Sequence, residues 1–600
     1  MTLTATRPAP ATPPPNPSRS ALSRFAAAAG RRVRDRSISL ALAIVAAVLV
    51  LPPVVILVIS AFASGRTLKR SHFTWNNFHE VLTDKYTWLS LKDTVIFGVG
   101  SALVVVVVAT ILAWLVERTN TPGRRAVYGL LIVSFAVPTF IQGMGWLLFL
   151  GPGSGLVNTV VHGITGTSWE FPIYSMGSMI FIQAMTMLPV IFLLIAPAMR
   201  AADPGLEEAA AMSGASRVQT TLRVTLPLIR PALLAALFLS LILTVESFEI
   251  PALIASPAKI SVLSTEIYSR IHTAIPDYGA ASAFSILMMI VTIAGLVNYQ
   301  RATAKSQRYA TVRGKAYRPT RVDLGRWRWL AAVFAVGVPL LVVGPLALIV
   351  WASFLTKYQV PSISAVGNLS LQTYQSVVKD PEVTRSLVHS LLLGVGSAVL
   401  VMLLTSIAAW QLVRRRTVVN RGIDFIVSLP LVVPGIVLGL AILRTFVNIQ
   451  IGIYGTQYLV LIALVVHYLP YGMRYGHAGV ISLHPELEEA ASVAGANQTT
   501  MLRRILLPLL WPTLIAGGAF VFLATIRQLS LVLFLSGPGN EIATPIMFLR
   551  WQYGDITDAS AFAVIIVVVA CAVLAIFSKL TSGMAIASPD VQAPSAKSTE

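Results

Sequence analysis

Long apolar runs alternate along this chain with short polar and basic segments, and each run is close to the roughly 20 residues a helix needs to cross a bilayer. They fall at about 38–61, 91–116, 127–150, 175–199, 231–255 and 279–299, and again at 328–354, 387–413, 422–445, 457–481, 512–535 and 559–580. The pattern predicts an all-α polytopic membrane protein of about 12 transmembrane helices, with both termini on one side. Residues 1–37 read as a disordered basic tail, 38–299 as a first six-span half, 300–327 as a basic linker, 328–580 as a second half and 581–600 as a further tail. The run after residue 37 is longer than a signal-peptide core and has no clear cleavage site, so it is expected to stay as an anchor.

The two halves repeat one another. Gly98-Val99-Gly100-Ser101-Ala102 recurs as Gly394-Val395-Gly396-Ser397-Ala398, with Trp114 matching Trp410 and Pro138 matching Pro434, at an offset of 296. A polar segment also recurs, Glu207-Glu208-Ala209-Ala210-Ala211-Met212-Ser213-Gly214-Ala215 and Glu488-Glu489-Ala490-Ala491-Ser492-Val493-Ala494-Gly495-Ala496, at an offset of 281. The first half therefore carries fifteen extra residues between these landmarks, and the Gly-rich 151–174 stretch is the expected site. Six spans separate the copies, so the repeats share one orientation, related by an axis along the membrane normal.

The repeated segment reads as a short helical hairpin on the membrane surface. Asp203 is placed to cap a helix that opens on Pro204, with Glu207 and Glu208 near its positive end. Gly214 and Gly495 suit a left-handed reversal, and a second helix is expected to stop before Pro227 or Pro508. A second proline, Pro231 or Pro512, opens the next apolar run. Paired glutamates on a small-residue helix point to protein docking, because anionic headgroups would repel them.

Composition narrows the classes. Hydrophobic residues make up 56% and charged residues 12%, well below the roughly 25% charge of soluble chains. The net charge of +20 lies in segments between the runs, notably the N-terminal tail, Arg118/Arg124/Arg125, the linker, and Arg414-Arg415-Arg416 with Arg421. These define the cytosolic face and argue against nucleic acid as a partner. The lone Cys571 gives neither a disulfide framework nor a thiolate metal cluster, and the histidines lack zinc-like spacing. Gly98, Gly100, Gly394 and Gly396 are expected to permit close helix packing.

Charges inside spans are costly and mark cavities or partners. Glu246 and Glu249 lie in the fifth run, and Arg527 and Gln528 in the eleventh, with Glu246 aligned to Arg527 at offset 281. The expectation is that these line or gate a path, with Glu246 opposing Arg527 across the axis; a static bridge is the alternative.

Glu-Ala-Ala, three residues, Gly and a downstream Leu-Pro (Leu226-Pro227, Leu507-Pro508) resemble the cytoplasmic coupling loop of permease subunits in binding-protein-dependent ABC importers, over about residues 38–580. That resemblance implies a type I importer permease fold, with coupling loops at about 203–230 and 484–511 docking two copies of a separate ATPase subunit. It assigns coupling to Glu207, Glu208, Ala209, Gly214, Glu488, Glu489, Ala490 and Gly495. It also implies an extracytoplasmic solute-binding protein, residence in the bacterial cytoplasmic (inner) membrane, and no cofactor on this chain, ATP being used by the partner subunits. No Gly-x-x-x-x-Gly-Lys-Ser/Thr phosphate loop occurs, so the chain is not expected to be an enzyme. The fused halves, the Glu246–Ile254 segment and Arg527-Gln528-Leu529-Ser530 resemble the ferric-iron type, though Gln528 stands where many of that type carry an acid. Thiamine, 2-aminoethylphosphonate and polyamine permeases share the architecture. An ion-driven secondary transporter, the rival class, would need no such loop.

Overall fold

In the computed structural model, residues 17–65, 68–304, 322–415, 417–449, 451–496 and 498–585 are described. Most of the linker, Arg416, Asn497 and the last part of the C-terminal tail lie outside them. Among the described residues the regular structure is helical, with nine helices long and apolar enough to span a membrane, or up to 12 if each sharply bent pair counts as one.

The first half runs α1 (Pro17–Ala61), α2 (Lys85–Arg118), α3 (Arg124–Ala136), α4 (Thr139–Leu150), α5 (Leu156–Thr165), α6 (Met176–Ala201), α7 (Pro204–Met212), α8 (Arg217–Thr220), α9 (Arg230–Glu246), α10 (Glu249–Ile254), α11 (Leu263–Ile271) and α12 (Tyr278–Ala304). The second half runs α13 (Trp327–Ser353), α14 (Pro381–Arg414), α15 (Val418–Ser428), α16 (Gly435–Asn448), α17 (Gln457–Ile481), α18 (Glu486–Val493), α19 (Leu507–Arg527), α20 (Ala543–Gln552) and α21 (Ile556–Ala585). Part of the tail expected to be disordered is helical, since α1 begins at Pro17. Its Ala26–Ala29 run has high helix propensity.

The apolar runs 127–150 and 422–445 are not straight spans. α3 and α4 meet at 108°, and the helices flanking Pro434 meet at 109°. Proline explains both breaks: it disfavours helical backbone one residue earlier, and Val137 (ψ 134) and Val433 (ψ 107) are extended.

In each half the second long helix packs against the fourth and fifth, α2 on α6 and α9, α14 on α17 and α19. Glycines permit this approach. A Cβ on Gly98 would stand 3.2 Å from Leu241 and one on Gly394 2.9 Å from Phe522, the equivalent contacts in the two halves. The first helices are exchanged: α1 packs on α15 and α16, and α13 on α3 and α4. Buried Arg444 of α16 bolts the exchange, reaching Ser60 Oγ at 3.2 Å and stacking its guanidinium 4.6 Å from the Tyr278 ring centre. Between α4 and α6 the first half carries α5 in the 151–174 stretch, where the sequence places its extra residues.

Candidate functional site

The polar hairpins fold almost as the residues dictate. Asp203 caps α7, its carboxylate accepting from the Gly205 N–H at 2.9 Å. Gly214 and Gly495 sit at φ +81° and +82°, where a side chain is disfavoured. Around each, the next residue's N–H returns to a carbonyl five residues back, Ala215 to Ala210 and Ala496 to Ala491, both at 3.0 Å. The helix after the reversal does not stop before the proline. It widens through a π-helical turn at Thr221–Thr225, and at Leu502–Leu506 in the second copy, and runs past Pro227 and Pro508. A wide turn with the Leu226 N–H bonded to the Thr221 carbonyl makes room for a residue without an N–H. Pro231 opens α9 as expected, whereas Pro512 lies inside α19.

The two glutamates of each copy have different surroundings. Glu207 turns inward to Arg118 at the C-terminal end of α2 (3.1 Å) and accepts from Thr225 Oγ1 at 2.6 Å. Glu488 turns inward to Arg414 at the end of α14 (2.7 Å). The arginines also cap matching carbonyls, Ala202 and Leu483, each at 2.9 Å. Arg118 and Arg414 obey the 296 offset while Glu207 and Glu488 obey the 281 offset, so neither offset alone reveals the pairing. Glu208, Glu489, Ala209 and Ala490 are exposed, flanked by exposed Leu206 and Leu487 and by Met212 and Val493. Each hairpin is thus fastened to its own half by its first glutamate. It offers the second glutamate and an apolar pair outward.

The central charges sit at helix breaks rather than within spans. α9 ends on Glu246 and α19 on Arg527, the same repeat position, followed by extended Ser247 and Gln528. Hydroxyls from α11 and α20 pin both breaks: Ser264 Oγ donates to Ser247 O and Thr544 Oγ1 to Gln528 O, each at 2.9 Å. Glu249 opens α10, where a carboxylate suits the helix dipole, and accepts from the Phe248 N–H at 3.2 Å. Arg527 forms no ion pair with Glu246 among the described residues. Instead it crosses to the other half, donating to Phe135 O at 2.6 Å with its guanidinium 5.1 Å from that ring's centre. Phe135 is near the C-terminal end of α3, and free carbonyls there draw a cation. The Tyr468 hydroxyl completes the cluster, 2.8 Å from Ala524 O and 3.2 Å from Gln528 Oε1.

Beyond the breaks, aromatic rings from both halves meet. Tyr268 on α11 and Phe548 on α20 contact edge to face at 6.2 Å, and Phe248 contacts both. His272 stacks on Tyr268 at 3.9 Å and on Phe534 at 5.7 Å. Arg270 and Arg550 hold these helices from behind, the first near Glu80, Asp84, Glu266 and Asp277, the second near Asp380, Glu382 and Asp558. The signal for this seam is the repeat itself, because Tyr268 and Arg270 recur as Phe548 and Arg550 at one offset.

A duplicated bundle with swapped first helices, two anchored polar hairpins and charged central breaks defines a multi-pass transport protein. The family described as "Binding-protein-dependent transport system inner membrane component" matches residues 106–308 and 401–582, and the chain belongs to it, twice over. It is similar to the "Ferric transport system permease protein FbpB" of Actinobacillus pleuropneumoniae, 26% identical over 88% of this chain and 75% of that protein. It is also similar to the "Probable ABC transporter permease protein y4fN" of Sinorhizobium fredii, 25% identical over 89% and 94%. The "Sulfate transport system permease protein CysT" of Salmonella typhimurium is 29% identical but covers 36% of this chain and 82% of its own length. A crystal structure of a bacterial alginate ABC transporter with an alginate pentasaccharide-bound periplasmic protein aligns at TM-score 0.34 and 23% identity, over 39% of this chain and 83% of that one.

Proposed function

We propose that this permease component is both membrane halves of an ATP-driven importer in a single chain, and that it couples the solute path to two copies of a separate ATPase subunit. The observation that carries this reading is the twice-built hairpin. In both copies an arginine at the end of a long helix locks the first glutamate, while the second glutamate and two apolar side chains are exposed at the surface. A partner gripping both hairpins would move two long helices directly. Closure of the ATPase pair would rock the halves, and the breaks at Glu246 and Arg527, with Glu249 and Gln528 beside them, would line the path. A solute-binding protein would deliver cargo at the aromatic face, and both termini would lie in the cytosol.

Ferric iron is the proposed cargo. The ferric transport relatives extend over both halves, whereas the sulfate permeases match about one half. Titrating the cognate solute-binding protein with ferric iron, thiamine, 2-aminoethylphosphonate, polyamines and sulfate tests the assignment. Tight binding of iron alone is expected, and tight binding of another member of the set with none of iron would overturn it.

A further inference from the structure

The two hairpins are held against the membrane half in different ways. In the second copy, Trp410, Val480, Ala491, Met501, Leu506 and Leu510 form a buried apolar cluster beneath the hairpin. The first copy has Thr225 in place of Leu506, and Trp114, the mate of Trp410, lines a cavity of about 490 Å³ together with Val218, Leu222, Val322 and Leu324. The last two belong to the end of the inter-half linker, which fastens itself there. The Val322 N–H donates to Arg118 O at 2.8 Å, and the Asn120 N–H to Val322 O at 3.1 Å. Leu324 N–H donates to Asn120 Oδ1 at 3.0 Å, and the Asn120 amide donates to the Asp323 carboxylate. Arg217, first residue of α8, donates to the Asp323 carbonyl.

We infer that residues 322–325 are a latch that positions the first coupling hairpin, replacing the apolar packing that holds the second. The latch joins three things: the arginine that anchors Glu207, the second helix of the hairpin through Arg217, and α13, which begins at Trp327 immediately after it. Because α13 packs on α3 and α4 of the first half, motion of this hairpin passes through a few residues of main chain into the helix that crosses between halves. The Gly325 N–H and the Asn120 amide hold the Asp323 carboxyl below the usual carboxylate range, so it stays charged at cytosolic pH. The two docks are therefore unequal in construction. One is packed, the other is tied.

The inference rests on the hairpins being ATPase docks, and one experiment separates the two ideas. The full permease is reconstituted with its ATPase and solute-binding protein, and solute moved per ATP hydrolysed is measured for Val322→Pro, which removes the N–H bonded to Arg118, and for the side-chain variants Asp323→Ala and Asn120→Ala. Gly495→Val and Gly214→Val serve as the docking controls. Amide exchange of residues 204–225 and 485–496 is followed in parallel. The latch variants are expected to lower the transport-to-hydrolysis ratio about fivefold, a usual size for coupling between sites, and to speed exchange in 204–225 while leaving 485–496 unchanged. An unchanged ratio in Asp323→Ala and Asn120→Ala overturns the latch, whatever the exchange shows. If Gly495→Val also couples normally, and Gly214→Val with it, the docking reading fails instead.

Discussion

At the scale of single residues, this permease invests its polar chemistry in fixing position. Removing one partner of a buried ion pair costs about 3–5 kcal/mol because the other charge stays buried. Arg118, 2% exposed in its pair with Glu207, meets that condition. Glu207→Ala and Arg118→Ala should therefore each cut ATP-driven transport at least about tenfold, and the double variant should be no worse than either single one if they act as a pair; additive losses would show that they do not. At Gly214 and Gly495 a β-branched residue meets a left-handed backbone that costs roughly 1–2 kcal/mol. Valine at either should uncouple hydrolysis from transport in a normally inserted chain, with Asn closer to wild type, since it tolerates this conformation. Full activity of both valine variants would refute docking. The glycines and the cap were legible in the sequence because their constraint is local. The Arg118–Glu207 and Arg414–Glu488 pairs were not, because they join segments on different repeat offsets and require knowing which helix ends meet.

At the scale of elements, the apolar runs forecast where helices lie but not where they break. Proline in an apolar run leaves hydropathy unchanged, so the bends of 108° and 109° at Pro138 and Pro434 are invisible to a hydrophobicity scan. Likewise Glu246 and Arg527 occupy matching repeat positions, yet each ends its helix, and Arg527 is drawn to a carbonyl near the end of α3 instead of to Glu246. Arg527→Glu places a carboxylate beside that carbonyl and should nearly abolish transport at normal expression; unchanged transport would remove Arg527 from the path. The aromatic seam between α11 and α20 should close the outer end. In a Cys571→Ala background, a Gln528→Cys thiol should react faster with an impermeant reagent from outside once Tyr268→Ala and Phe548→Ala are combined. The cage behind α20 has a pH signature. Burial raises the Asp380 carboxyl, but the hydrogen bonds from Arg550 and from the Glu382 N–H outweigh it and leave it below the usual range. Its stabilising contribution is present above the ordinary Asp value of about 3.9 and fades as pH falls below it. Asp380→Asn should flatten that acid dependence of melting temperature in detergent.

At the scale of the whole molecule, duplication supplies two equivalent hairpins, and the linker that joins the halves gives them unequal mounts. The exchanged helices α1 and α13 and the Arg444 bolt hold the halves as one body, while the latch and the packed cluster give each hairpin a different mount. The repeat made the class readable from sequence, because its Glu-Ala-Ala, Gly and Leu-Pro motif resembles a known coupling loop and occurs twice among the apolar runs. It did not reveal the exchange, since which helix crosses over is decided by packing between halves and leaves no local signature. The measurement that tests the central claim most directly is uptake into sealed vesicles containing this chain, its ATPase and its solute-binding protein, with and without ATP and with and without an ion gradient. The account predicts accumulation of the delivered solute that needs ATP and all three proteins and is lost in the Gly214→Val, Gly495→Val double variant. Uptake driven by an ion gradient through this chain alone, undiminished by those substitutions, would contradict it.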